Sequence, residues 1–173
     1  MAVERATKRK RVKLAEGDVF EFVLPNGQFG YGIIVKCGRL KNGGTPYIAM
    51  FGSLHRERPD LAKLLGEKVA LAGWTMDGHV YRGQWNVIAH GSPLPFVPYP
   101  NFKVKIGDKY YVTDVSGPPI REATDSETEL LDYQFSKTPM CFHHAFEALH
   151  GFSEWNASDD KLTPAYAKAR VLL

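Results

Sequence analysis

Apolar residues alternate along residues 17–36, GDVFEFVLPNGQFGYGIIVK, in a way that leaves almost no polar row. Side chains on a strand point to opposite faces in turn. Phe20, Phe22 and Leu24 therefore form one row and Val19, Glu21 and Val23 the other. After the Pro25-Asn26-Gly27 tip, Phe29, Tyr31, Ile33 and Val35 alternate with Gly30, Gly32 and Ile34. A two-residue Asn-Gly turn would ask Pro25 for a hydrogen-bond donor that it lacks. A three-residue loop, with proline at the type I position and Gly27 left-handed, avoids this. The register that follows sets Phe20, Phe22 and Leu24 across from Gly32, Gly30 and Gln28. The glycines then make a shallow floor beside the phenylalanines, where a second backbone or a partner's side chain can approach closely. One apolar face must be core. The other is either covered within the same domain or offered to a partner, which makes Phe20 and Phe22 candidate partner-binding residues.

Further strand signals, each bounded by Gly, Pro, Asn or Asp, lie at Tyr47 to Phe51, Lys68 to Trp74, Trp85 to His90 and Tyr110 to Val115. Pro59 to Leu65 reads as a short helix stopped by Gly66, and Met76-Asp77-Gly78-His79 as a turn. Residues 92–100, SPLPFVPYP, are too rich in proline for a central strand and predict extended chain laid over the surface, pinned by Phe96 and Tyr99. Helical signals come late. Asp125-Ser126-Glu127 precedes Leu130-Leu131. Thr138-Pro139 supplies a capping hydroxyl and a first-turn proline, and Phe142, Ala145, Phe146 and Leu149 follow at helical spacing up to Gly151. A last segment opens at Thr163-Pro164. The fold class is α+β, mainly β: a strongly bent antiparallel sheet or small open barrel followed by C-terminal helices. The expected organisation is a disordered basic tail over 1–11, a β-rich domain over 12–115, and a helical C-terminal extension over 116–173 packed on the same domain.

Charge changes this picture in one respect. The chain of 173 residues is 44% hydrophobic and 24% charged, as expected of a soluble protein, and has a formal net charge of +3. Residues 1–13 contain Arg5, Lys8, Arg9, Lys10, Arg11 and Lys13 against Glu4; without them 16 basic and 18 acidic residues remain, a net charge of −2. A body of that charge argues against a nucleic-acid partner, which needs basic residues spread over one face. No apolar run reaches membrane-spanning length, and the N-terminus leads into charges, so no membrane partner is expected. The two cysteines, Cys37 and Cys141, lack C-x-x-C spacing and read as free thiols in the cytoplasm.

Candidate chemistry is sparse. His143, Glu147 and His150 fall at i, i+4 and i+7, near Cys141 and His144, and form a weak candidate metal set opposite the apolar stripe. The same residues also read as a solvated helix face with one weak ion pair. There is no phosphate-binding loop and no nucleophile elbow, so neither a catalytic residue nor a cofactor is expected. Residues 122–132 carry Glu122, Asp125, Glu127, Glu129 and Asp132 with only uncharged residues between them. With Tyr133 and Phe135 as apolar anchors, this segment is the second candidate partner-binding surface.

The stretch GDVFEFVLPNGQFGYGIIV resembles the start of the immunity protein 26 family of bacterial polymorphic toxin systems. So does Gly83-Gln84-Trp85-Asn86-Val87-Ile88, followed by Pro93-Leu94 and Pro100-x-Phe102. The resemblance covers about residues 12–103. It implies a non-catalytic, mostly β protein, encoded beside a toxin, that neutralises this cognate toxin protein by direct binding. Alternatives from other classes are a small-barrel binding module for nucleic acid or peptide, and a metal-dependent enzyme using the His143, Glu147 and His150 face.

Overall fold

A computed structural model describes residues 13–38 and 45–172; the basic tail over 1–11 lies outside the described residues. Strands β1 (Val19–Val23) and β2 (Phe29–Cys37) form the hairpin. Its register pairs Phe20 with Gly32 and Phe22 with Gly30, as the turn chemistry predicts. The Leu24 N–H donates to the Gln28 carbonyl at 2.8 Å, closing a Pro25-Asn26-Gly27 loop. Gly27 has φ +79°, a conformation that other residues rarely adopt.

Strands β3 (Pro46–Phe51), β4 (Val69–Trp74) and β5 (Asn86–Ala89) complete an antiparallel sheet of order β4-β3-β2-β1-β5. Register shifts at Val19/Phe20, Ile34/Lys36 and Met50/Phe51 add local twist. Among the described residues no ladder joins β4 to β5, so the sheet does not close into a barrel. A second antiparallel sheet is built from β6 (Phe102–Ile106), β7 (Lys109–Thr113) and β8 (Pro119–Glu122). Two of its strands, β6 and β8, were not expected, and β8 falls where the sequence predicts only helix. The helices are α1 (Leu61–Leu65), α2 (Gly78–Tyr81), α3 (Asp125–Leu130), α4 (Pro139–Leu149) and α5 (Pro164–Lys168), with a 3₁₀ turn over Ala157–Leu162. Helix α2 replaces the expected turn at Asp77-Gly78.

Both faces of the five-stranded sheet are covered by the chain itself. On one, Phe20 stacks on Trp85 with ring centres 4.6 Å apart, and Phe22 meets Phe146 of α4 edge-on at 5.0 Å. Phe142 and Leu162 join the same cluster. On the other, Val19, Tyr31, Ile33 and Val35 pack with Leu64 of α1, Val97, and Phe102 of the second sheet. The glycine floor is therefore filled from inside: the Phe20 ring lies over Gly32 and the Phe22 ring over Gly30, so close that a β-carbon on either glycine would fall within 2.4 Å of a ring atom.

This corrects the expectation that Phe20 and Phe22 face a partner. Both are 0% exposed, because α4 and Trp85 occupy the face that the sequence leaves open. Two smaller expectations also fail. Leu149 is 44% exposed, since the His150 ring, 4.8 Å from Phe146, takes the place at the end of the apolar stripe. Phe96 does not pin residues 92–100; Val97 and the half-buried Tyr99 do, the latter edge-on to Tyr47 at 5.1 Å. Among the described residues no helix is long and apolar enough to cross a membrane.

Candidate partner-binding surface

Helix α3 begins at a capping box. The Thr124 hydroxyl accepts from the Glu127 N–H at 3.3 Å, and the Glu127 carboxylate accepts from the Thr124 N–H at 2.9 Å. This arrangement satisfies two backbone donors that a helix start otherwise leaves unpaired. Arg121 of β8 reaches the same carboxylate with both terminal nitrogens, at 2.7 and 2.6 Å. Its hydrogen bonds, reinforced by that of Thr124, hold the Glu127 carboxyl down at about 2.

Two more of the five acids have partners. Glu122 pairs with Lys109 at 2.8 Å across the small sheet. Asp132 accepts from the Tyr166 hydroxyl and pairs with Lys161 at 3.0 Å. Burial opposes ionisation of Asp132, yet Tyr166 and Lys161 together keep its carboxyl below the usual carboxylate range. Asp125 and Glu129 have no ion-pair partner among the described residues and stand exposed on α3. Among the described residues, the segment is thus a largely neutralised scaffold from which two unpaired carboxylates project.

Tyr133 lies at the border of this patch and is 52% exposed. Its ring sits 5.4 Å from the Lys103 ammonium, which also donates to the Thr128 carbonyl at 2.6 Å and so ties β6 to α3. Phe135 points inward, edge-on to Phe102 at 6.0 Å, and serves the fold more than the surface.

The histidine face of α4 disperses. His143 Nε2 lies 3.5 Å from Glu147 Oε1, but the imidazole packs over Phe22 at 5.2 Å, and His150 turns to Phe146. Among the described residues no three His, Cys, Asp or Glu side chains converge as a metal ion requires. Nor is this a solvated face. Burial pushes the pKa of His143 and of His150 down, and it does the same to His79 of α2, whose ring is 6.3 Å from that of His143.

Two buried carboxylates of the hairpin escaped notice as sites. Asp18 accepts from the Ala15 N–H at 2.8 Å and contacts His90 Nδ1 at 2.7 Å. Glu21 receives Arg58 through Nε at 3.0 Å and Nη2 at 2.6 Å. A carboxylate in an otherwise apolar strand row does signal a cationic partner, but not one 37 positions away. Both are structural ties that fasten the lead segment and the loop after β3 to the hairpin.

No curated protein and no solved structure matches the chain. Residues 15–99 match the family model described as Immunity protein 26, a family of toxin-system proteins that are typically non-enzymatic. That stretch holds the hairpin and all five strands of the large sheet, and through it the chain is similar to the immunity protein 26 family.

Proposed function

We propose that the chain is a cytoplasmic immunity protein that neutralises a cognate bacterial toxin by binding it directly. The observation that carries this reading is the match of residues 15–99 to an immunity-protein family. The surface described above supports it in kind. Asp125 and Glu129, free of internal partners among the described residues, can meet a basic toxin surface, and the half-exposed Tyr133 supplies an apolar contact beside them. Opposite fields raise association rates more than they raise affinity.

The experiment is co-expression of this chain with the toxin encoded beside it. Cells should survive with the pair and die with the toxin alone, and purified toxin should bind the chain. Death in both cases, with the chain present in soluble form, would refute the function. Asp125→Lys and Glu129→Lys should each slow association at low salt and flatten its salt dependence, while the melting temperature holds. Glu127→Lys is a poor probe of the surface, because it also removes the capping box and the Arg121 pair.

A further inference from the structure

Residues 92–100 cross the second face of the large sheet as an extended strap. The Ser92 N–H donates to the Gly17 carbonyl at 2.9 Å, and just beyond the strap the Asn101 N–H donates to the Arg170 carbonyl at 2.9 Å. Between these ties Val97, Pro98 and Pro100 are buried. Prolines at 93, 95, 98 and 100 fix φ along the backbone.

From this rigid support two large apolar side chains point outward. Phe96 is 86% exposed, the most exposed large hydrophobic residue among those described, and Leu94 is 47% exposed. They are two positions apart, so on extended chain they leave the same side. A lone exposed apolar residue is ordinary. A phenylalanine held almost wholly in water on a proline-locked backbone is another matter, because it has already lost the chain entropy that binding would otherwise cost.

The chemistry of the strap narrows its partner. Residues 91–100 carry no charge, which leaves nothing to grip phosphate. Four of the ten lack an N–H, so the strap is a poor template for adding a strand. What remains is recognition through side chains by an apolar concavity. We propose that Leu94 and Phe96 form a preorganised plug that enters a hydrophobic pocket on the cognate toxin. This inference rests on the proposed immunity function and adds a second contact, distinct from the acidic patch. Residues 94 and 96 lie inside the stretch that matches the family. Asp125 and Glu129 lie outside it. The plug should hold the complex together, whereas the carboxylates speed its formation.

The test uses the full chain and, as probe, the purified and catalytically inactivated toxin domain encoded beside it, with kinetics followed by biolayer interferometry. Phe96→Ala should weaken binding at least tenfold, mostly through faster dissociation, and Leu94→Ala should weaken it less. Phe96→Leu should restore part of the loss. None of the three should move the melting temperature by more than a degree, since neither side chain is core. If the wild-type chain binds and Phe96→Ala binds equally well, the plug is wrong and the immunity function stands. If the wild-type chain fails to bind, the function falls and the plug with it. A change in the chain's own oligomeric mass on Phe96→Ala, with toxin binding intact, would assign the plug to a second copy and overturn the proposal.

Discussion

Adding a single methyl group to the floor of the hairpin tests how the large sheet is closed. A β-carbon on Gly32 would stand 2.3 Å from Phe20 Cζ and 2.8 Å from the Ala49 carbonyl oxygen. Neither neighbour can retreat. Phe20 is fully buried and stacked on Trp85, and Ala49 belongs to the paired strand β3. At Gly30 the nearest atoms are Phe22 Cζ at 2.4 Å and Phe146 Cε1 at 2.9 Å, which are side chains only. At Gly73 of β4 the closest are Phe142 Cζ at 3.2 Å and Leu162 Cδ2 at 3.4 Å, a contact that a small shift relieves. Elsewhere in a strand, alanine is better than glycine by about 0.5–1 kcal/mol. Overpacking a core costs about 1–3 kcal/mol and occasionally more. The balance predicts a graded series. Gly32→Ala should lose about 2–3 kcal/mol, Gly30→Ala about 1–2 kcal/mol, and Gly73→Ala less than about 0.5 kcal/mol in either direction. Urea unfolding followed by circular dichroism measures this directly, with m-values unchanged across the series. For a chain of this size the Gly32 variant should melt roughly 4–12 °C lower. A Gly32→Ala protein as stable as wild type, or a series in which Gly73→Ala is the worst, would refute the packing described.

Three other outcomes follow from the same core. Phe146→Ala removes the ring that meets Phe22 edge-on and should cost about 3–5 kcal/mol in urea unfolding; a loss below 1 kcal/mol would mean that α4 is not seated on the sheet. The pKa values of His79, His143 and His150 are pushed down by burial, so the unfolded chain binds protons more readily than the folded one. Stability should therefore be at its plateau above the ordinary histidine value of about 6.5 and fall as pH drops below it, and His143→Gln should flatten that fall; a urea midpoint that stays level from pH 8 to 5 would contradict it. Both thiols are free, so reagent counting in denaturant should find two, while in the native protein Cys37 should react slowly because burial pushes its thiol pKa up.

Local chemistry was legible where one or two residues dictate it. Pro25 and Gly27 set the hairpin loop and with it the register of ten strand residues. Thr138 and Pro139 marked the start of α4, where the Thr138 hydroxyl does accept from the Cys141 N–H at 3.3 Å. The prolines of 92–100 announced an extended strap. Strand β8 was hidden for a physical reason: it is an exposed edge, held by backbone bonds to β7, so its side chains carry no alternation. The second apolar row of the hairpin showed that something covers it but could not show what, since Phe142 and Phe146 lie more than a hundred residues downstream. The acidic run was visible as composition; that Arg121, Lys109 and Lys161 neutralise most of it is a matter of tertiary pairing.

The dependence of the large sheet on α4 has a consequence for how the protein is made. Residue 149, at the end of α4, is synthesised sixty residues after Ala89 completes the last strand of the sheet. At ribosomal rates of about 5–20 residues per second, the nascent sheet keeps Phe20, Phe22 and Trp85 wet for on the order of 3–12 s. A message truncated in that interval would yield a chain with an uncovered aromatic face, a substrate for chaperones and proteases. Folding is then close to all-or-none with respect to translation: the aromatic face closes only when α4 has emerged and packed on the sheet.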